Sequence, residues 1–175
     1  MRRVLVAGIT GAGKTTMARR LAQATGLPFH QLDELAFLSG WRERPEYLAD
    51  VVRLSESEAW IFDSWGDRRV RDRLWSCADT VVWLDFSFTL VTRRLLWRSL
   101  LRTTRREQIF NGNVETAREW FGRDHPLWSA WAEYRPRRAE MRRRLADPAH
   151  AHLHLIRLPS PKAADRWLKA VTPSA

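Results

Sequence analysis

Short apolar runs alternate with segments of helical spacing along most of the chain. Residues 3–7 and 80–84 are nearly continuous apolar runs, a pattern typical of strands buried on both faces of a sheet. Apolar residues after the first run recur at helical intervals, as at Met17, Leu21 and Ala24. The alternation indicates an α/β fold. The predicted strands cover residues 3–7, 29–32, 60–62, 80–84 and 152–158.

The first apolar run leads directly into a glycine-rich segment, residues 8–15, which fits the pattern G-x-x-x-x-G-K-[ST]. Its glycines let backbone N–H groups turn inward around phosphate oxygens. We expect Lys14 to reach the β- and γ-phosphates of a nucleotide and the Thr15 hydroxyl to hold Mg²⁺. A strand before the loop and a helix after it argue against a glycine-rich turn that binds no ligand. The candidate nucleotide-binding residues are Gly8, Gly11, Ala12, Gly13, Lys14, Thr15 and Thr16.

Carboxylates follow three predicted strands, as Asp33, Asp63 and Asp85, at the sheet edge where ligands bind in open α/β folds. Asp33 follows residues 29–32 and is a candidate general base or outer-sphere Mg²⁺ ligand, with a helix cap as the alternative. Asp63 follows residues 60–62 and is expected to hold Mg²⁺ directly or through water. The alternating His152 and His154 fit an edge strand with one polar face better than a metal-binding pair.

Positive charge is concentrated in one part of the chain. The net charge is +10, and residues 93–144 hold fourteen Arg but six Asp or Glu. Arg binds phosphate bidentately, which favours a helical lid that closes over phosphates, although the same charge suits a nucleic-acid backbone. Arg98, Arg102 and Arg105 recur at near four-residue intervals on a predicted helix, and at least one of them is expected to contact phosphate.

Length and composition favour one domain without a disulfide framework. The chain has 175 residues, a single cysteine and no apolar run long enough to cross a membrane. A strand is predicted from residue 3, which leaves no room for a signal peptide. We therefore expect a cytoplasmic protein.

Several short segments in order resemble the small P-loop kinases related to adenylate kinase, and more narrowly the bacterial proteins labelled topology modulation or adenylate-kinase-like. The segments are residues 4–16, His30-Gln31-Leu32-Asp33, Gly40-Trp41, residues 60–63, residues 82–85, Asn111-Gly112-Asn113 and residues 158–161. The resemblance implies a three-layer α/β/α fold with a five-stranded parallel sheet, ATP on the loop and an Arg-rich lid. It places the core at residues 1–92 and 146–175 and the lid at about 93–145. The relatives often have Gly-Asn-Tyr where this chain has Ser64-Trp65-Gly66.

These observations lead to a first functional hypothesis, phosphoryl transfer from Mg·ATP to a small acceptor such as a nucleoside, a nucleoside monophosphate or another hydroxyl compound. Lys14 with Arg98 or Arg102 would neutralise charge on the transferred group, and Asp33 would accept a proton from an alcohol acceptor. One of Arg68, Arg69 and Arg71 is expected to contact the acceptor. The alternatives are a nucleotide-dependent nucleic-acid binder and a nucleotide-binding regulator with little turnover.

Overall fold

A parallel sheet of five strands organises the chain. The computed structural model describes the backbone of residues 1–105, 108–109, 113–114 and 126–172, and side chains within these ranges except at 98–100 and 102–130. The described strands are β1 (Arg3–Gly8), β2 (Phe29–His30), β3 (Trp60–Phe62), β4 (Thr80–Leu84), β5 (Gln108–Ile109), β6 (Asn113–Val114) and β7 (His154–Leu158). The sheet order is β2-β3-β1-β4-β7, with every neighbouring pair parallel, and β5 pairs antiparallel with β6.

Helices cover both faces of this sheet. The described helices are α1 (Lys14–Thr25), α2 (Leu32–Ala36), α3 (Tyr47–Glu56), α4 (Arg71–Cys77), α5 (Phe88–Arg105), α6 (Pro126–Ala146) and α7 (Pro161–Val171), with 3₁₀ turns at Ser39–Trp41 and Pro148–His150. Val4 and Val6 pack with buried residues of α1, α5 and α7. Leu5 and Ala7 face the other way and pack with buried residues of α2, α3, α4 and α6. This alternation along one strand confirms the predicted three-layer α/β/α fold.

The second strand is shorter than predicted. β2 ends at His30, and Leu32 begins α2, so Asp33 lies in the first turn of a short helix rather than directly after a strand. The backbone N–H of Leu32 donates to Asp63 Oδ1 at 3.0 Å instead of to a neighbouring strand. Acidic residues in a first helical turn are favoured by the helix dipole, which explains why the chain turns here. Gln31 is the N-cap residue, so Asp33 is not the cap of this helix.

Other boundaries also differ from the prediction. β7 begins at His154 rather than at residue 152. Asp147 caps the 3₁₀ turn Pro148–His150, and the turn that follows it includes His152. The sequence also predicts a turn at 111–113 and a helix from Val114 to about Gly122. In the structure Asn113 and Val114 form β6, and the other residues of these two segments lie outside the described part of the chain. Among the described residues, no helix is both long enough and apolar enough to cross a membrane.

Candidate active site

The glycine-rich loop between β1 and α1 has the conformation that its glycines allow. Gly11 and Gly13 have φ values of 84° and 88°, which favour glycine. A Cβ on Gly11 would lie 2.5 Å from Leu95 Cγ, so the loop lies directly against α5. Gly13 is the residue before α1, and the loop therefore ends at the N-terminus of a helix. Backbone groups in this arrangement form an anion-binding concavity.

Thr15 and Asp63 meet at the end of the loop. The Thr15 hydroxyl donates to Asp63 Oδ2 at 2.6 Å, and Asp63 is only 5% exposed. β1 and β3 are neighbours in the sheet, with Leu5 opposite Phe62, and this register brings the residue after β3 beside the loop. Lys14 Nζ donates to the Ile9 carbonyl at 3.2 Å, across the loop.

This pair of oxygen ligands fits a magnesium ion that also binds phosphate. Mg²⁺ keeps several waters and commonly takes one or two protein oxygens together with substrate phosphates. Among the described residues, no cluster of three or more His, Cys, Asp or Glu could form a protein-only metal site. The hydroxyl of Thr15 and the carboxylate of Asp63 are the side chains that would hold the ion.

Arg94 is a site residue that sequence reasoning did not select. Its Nη1 donates to the Ala12 carbonyl at 3.3 Å, and its guanidinium lies 5.4 Å from the ring centroid of Phe86. Arg94 follows the same near four-residue spacing as Arg98 and Arg102. Only the packing of α5 against the loop distinguishes Arg94 from these two arginines. The side chains of Arg98, Arg102 and Arg105 lie outside the described residues, so their roles stay predictions.

A cavity of about 770 Å³ opens next to Asp63. Leu32, whose backbone binds Asp63, and Ser64, the next residue in the chain, both line it. Asp33 lines the same cavity and is exposed. The volume is within the usual range of small-molecule sites, roughly 300–1,000 Å³. The structure thus places Asp33 beside a cavity that adjoins the loop site.

Most of the charged side chains in the cavity wall are paired. Asp67 accepts from Arg69 at 2.9 Å, and Glu43 also pairs with Arg69. Burial opposes ionisation of Asp67, but hydrogen bonds from Arg69 outweigh it and lower the Asp67 pKa. Burial and the negative charge of Asp67 raise the pKa of Tyr47, which keeps its phenol protonated. The other ion pairs in the wall are Arg137 with Glu133 and Arg143 with Glu140.

Trp65 forms an aromatic surface in this wall, in the segment where the chain departs from the family it resembles. It is 4% exposed. The guanidinium carbons of Arg71 and Arg137 lie 4.8 Å and 5.6 Å from its ring centroid. Arg71 is one of the three arginines predicted as acceptor contacts, whereas Arg137 comes from α6 and was not singled out. Stacking between arginine and indole is a favourable contact.

A buried ion-pair cluster joins α6 to the sheet beside this site. Asp85 follows β4, and its side chain is 1% exposed. Arg138 Nε lies 2.6 Å from Asp85 Oδ1, and Arg157 Nη2 lies 2.6 Å from Oδ2. Tyr134 also donates to the Phe86 carbonyl at 2.9 Å. The C-terminal part of α6 is therefore attached to the end of β4 next to Gly8, which pairs with Leu84.

The loop, the sheet order and the strand-end Asp together define a P-loop NTPase fold. A model of the family described as ATPase family associated with various cellular activities (AAA) matches residues 4–85. No curated protein sequence matches the chain.

Solved structures of small kinases are similar to this chain over nearly its whole length. A sugar kinase from Janibacter sp. is 21% identical, with a TM-score of 0.52 and coverage of 99% of both chains. Shikimate kinase from Acinetobacter baumannii, in complex with shikimate, is 18% identical, with a TM-score of 0.54 and coverage of 98% of this chain and 90% of that one. Deoxyadenosine kinase from M. mycoides is 11% identical, with a TM-score of 0.52 and coverage of 96% and 95%. At these identities the similarity concerns the fold, and the narrower resemblance to topology modulation proteins stays a prediction.

Proposed function

We propose that this chain is an ATP-dependent phosphotransferase that acts on a small acceptor. The observation that carries the proposal is the position of Asp63. Its carboxylate binds Thr15 of the nucleotide loop, while Leu32 and Ser64 on either side of it line a separate cavity. A donor site at Asp63 and an acceptor-sized cavity lined by residues that neighbour Asp63 suit in-line transfer between two bound substrates.

The described residues divide between donor and acceptor roles. The backbone of the loop and Lys14 would hold the β- and γ-phosphates, and Arg94 beside Ala12 would add positive charge there. Magnesium bound by Thr15 and Asp63 would neutralise charge on the phosphates. The similar fold of solved sugar, shikimate and deoxyadenosine kinases supports this division.

Asp33 would serve as the base when the acceptor is an alcohol. The acceptor oxygen would attack the γ-phosphorus, the bond from that phosphorus to the bridging oxygen would break, and ADP would leave. The hydroxyl proton would pass to the Asp33 carboxylate. Arg98 and Arg102 keep their proposed role of stabilising charge on the transferred group from the lid at about 93–145.

Nucleic-acid binding has less support than phosphoryl transfer. Of the six arginines on α6, four form ion pairs with Glu133, Asp85, Glu140 or Asp72. Charges that are already paired release fewer counterions when they meet a phosphate backbone. The basic composition of this helix therefore overstates the positive charge that it presents.

The proposal is tested by ADP release from Mg·ATP in the presence of a panel of sugars, sugar acids, nucleosides and nucleoside monophosphates. We expect one class of compound to support many turnovers, and the Lys14→Ala variant to lose this activity. The Lys169→Ala variant is the matched control, because Lys169 is exposed in the last turn of α7 and does not line the cavity. ATP binding without turnover on any compound would favour the regulatory alternative.

A further inference from the structure

Two arginines in the cavity wall, Arg68 and Arg71, form no ion pair within the described residues, and Arg68 is exposed to solvent whereas Arg71 is not. Arg71 is partly buried at the start of α4, and the ion pairs of the wall belong to Arg69, Arg137 and Arg143. Desolvation is unfavourable for a guanidinium that no anion neutralises. Burial, together with the nearby guanidinium groups of Arg144 and Arg137, lowers the pKa of Arg71. The carboxylates of Asp72 and Asp67 act in the opposite direction, but neither is within ion-pair distance of Arg71.

The backbone and Trp65 fix the Arg71 side chain in the cavity wall. Its Nε donates to the Gly66 carbonyl at 3.1 Å, and its guanidinium stacks on Trp65. Gly66 has φ 83°, and a Cβ there would lie 3.0 Å from side-chain atoms of Val70 and Leu74. Glycine therefore adopts this conformation without the strain that a side chain would cause. Within the described part of the chain, the two terminal nitrogens of Arg71 make no hydrogen bond.

Arg137 brings a second guanidinium to the same indole from α6. It lies 5.6 Å from the Trp65 ring centroid and pairs with Glu133 one helical turn earlier. The two arginines come from different elements, yet both line the cavity. Two guanidinium groups around one aromatic ring repel each other, and Glu133 pairs with Arg137 but not with Arg71.

We propose that Arg71, with Arg137 beside it, forms a subsite for an oxyanion of the acceptor, either a carboxylate or a phosphate monoester. This inference rests on the proposed function, since it assigns a chemical class to the compound in the same cavity. Bidentate binding to the terminal nitrogens of Arg71 supplies the missing negative charge. The acceptor is accordingly a small anionic compound rather than a neutral sugar or nucleoside.

The test compares three probes with the same six-carbon skeleton: gluconate, glucose 6-phosphate and uncharged glucose. Each probe is titrated calorimetrically into protein saturated with Mg·ADP, so that the nucleotide loop is occupied. We expect one or both anions to bind and glucose not to bind. The tighter of the two anions identifies the group as carboxylate or phosphate.

Variants of Arg71 test whether the anions bind at Arg71. Arg71→Gln is expected to weaken anion binding about tenfold to a hundredfold, since charge-assisted hydrogen bonds are lost, and Arg71→Lys to weaken it less. ADP affinity is expected to stay unchanged in both variants. The matched control is Arg73→Gln, on the same helix, whose arginine pairs with Glu56 and does not line the cavity. Because Arg71→Gln also loses the contacts of Arg71 with Gly66 and Trp65, the unchanged ADP affinity serves to show that the variant protein is folded.

Failure of this inference is distinct from failure of the proposed function. Glucose binding as tightly as the anions, no binding of either anion, or anion binding unaffected by Arg71→Gln would each overturn the subsite. Turnover on a neutral alcohol that survives Arg71→Gln would overturn the subsite and leave the phosphotransferase standing. Arg71-dependent anion binding without any phosphoryl transfer would leave the subsite standing and overturn the phosphotransferase.

Discussion

Asp33 and Asp63 are close in the fold but have different surroundings. Asp63 is buried, and both of its oxygens accept hydrogen bonds, one from Thr15 and one from the Leu32 backbone. Asp33 is exposed at the cavity and lies one residue beyond that Leu32 contact. A buried carboxylate whose two oxygens both accept hydrogen bonds is suited to be a fixed ligand for a metal ion. A carboxylate that faces a cavity is suited to proton transfer to or from a bound compound.

Replacing Asp33 with Asn separates an alcohol acceptor from a phosphate acceptor. With an alcohol, we expect kcat to fall about 10²- to 10⁴-fold while ATP affinity stays unchanged, because a general base is lost. A phosphate acceptor is already ionised and needs no base, so turnover that survives Asp33→Asn would exclude the base role. The control is Glu34→Gln, an exposed neighbour whose carboxylate lies 3.8 Å from Arg19.

Asp85 is the residue whose charge is expected to matter most for stability. Asp85→Asn would remove the buried anion that binds the partly exposed guanidinium groups of Arg138 and Arg157, and we expect the free energy of unfolding to fall by about 1.5–3 kcal/mol. Urea denaturation measures the change. Glu58→Gln removes an exposed partner of Arg2 and should change stability by less than about 1 kcal/mol. A similar small change for Asp85→Asn would contradict a structural role for this cluster.

At the scale of elements, α5 packs against the glycine-rich loop at Gly11. Leu95 is 1% exposed and occupies the space that a Cβ on Gly11 would need. The same contact brings Arg94, one residue earlier, to the Ala12 carbonyl. Loop conformation and helix position therefore depend on each other.

A double-mutant cycle tests this dependence. Gly11→Ala is expected to destabilise the fold, both because φ is 84° and because the methyl group meets Leu95. Leu95→Ala creates a cavity and should cost about 2–5 kcal/mol. In the double variant the cavity accepts the methyl group, so we expect less destabilisation than the sum, by about 1 kcal/mol or more. Additive effects in thermal or urea unfolding would argue against direct packing between loop and helix.

The same elements show which features could be predicted from sequence. β4 covers residues 80–84 as predicted, because a strand buried on both faces leaves a continuous apolar run. β2 has only two residues, too few to give a period, so its end was misplaced. The loop of residues 8–15 could be recognised because its glycines and Lys14 follow one another in the chain.

The acceptor side could be predicted less well, for a physical reason. Trp65, Arg71 and Arg137 come together only when α4 and α6 pack, and a contact between distant segments leaves no local pattern. Arg94 shares its helical spacing with Arg98 and Arg102, so the sequence offered no ground for choosing it. The packing of distant segments determines both which residues surround Trp65 and which arginine of α5 lies beside the loop.

At the scale of the whole molecule, ion pairs neutralise part of the positive charge of α6 locally while the net charge stays the same. The net charge is +10, but described arginines on α6 pair with acids from α4, from the end of β4 and from α6 itself. We expect this pairing to limit the affinity for nucleic acids. The ion pairs of Arg138 and Arg144 attach α6 to the end of β4 and to α4.

Binding to DNA and RNA at two salt concentrations checks this interpretation. We expect little retardation of either nucleic acid, with or without Mg·ATP, at physiological ionic strength. Tight binding that falls steeply between about 50 and 200 mM salt would instead show that many arginines contact a phosphate backbone. Arg135→Gln and Arg142→Gln should then weaken binding, since both residues are exposed on α6.

The central claim is that the γ-phosphoryl group passes to an acceptor in the cavity rather than to water. Mass spectrometry of the products from Mg·ATP and an active acceptor tests this claim most directly. The account predicts one phosphorylated acceptor for each ADP formed, and loss of both products in the Lys14→Ala variant. ADP accompanied by free orthophosphate in equal amount, with the added compound unmodified, would contradict it and identify an ATPase.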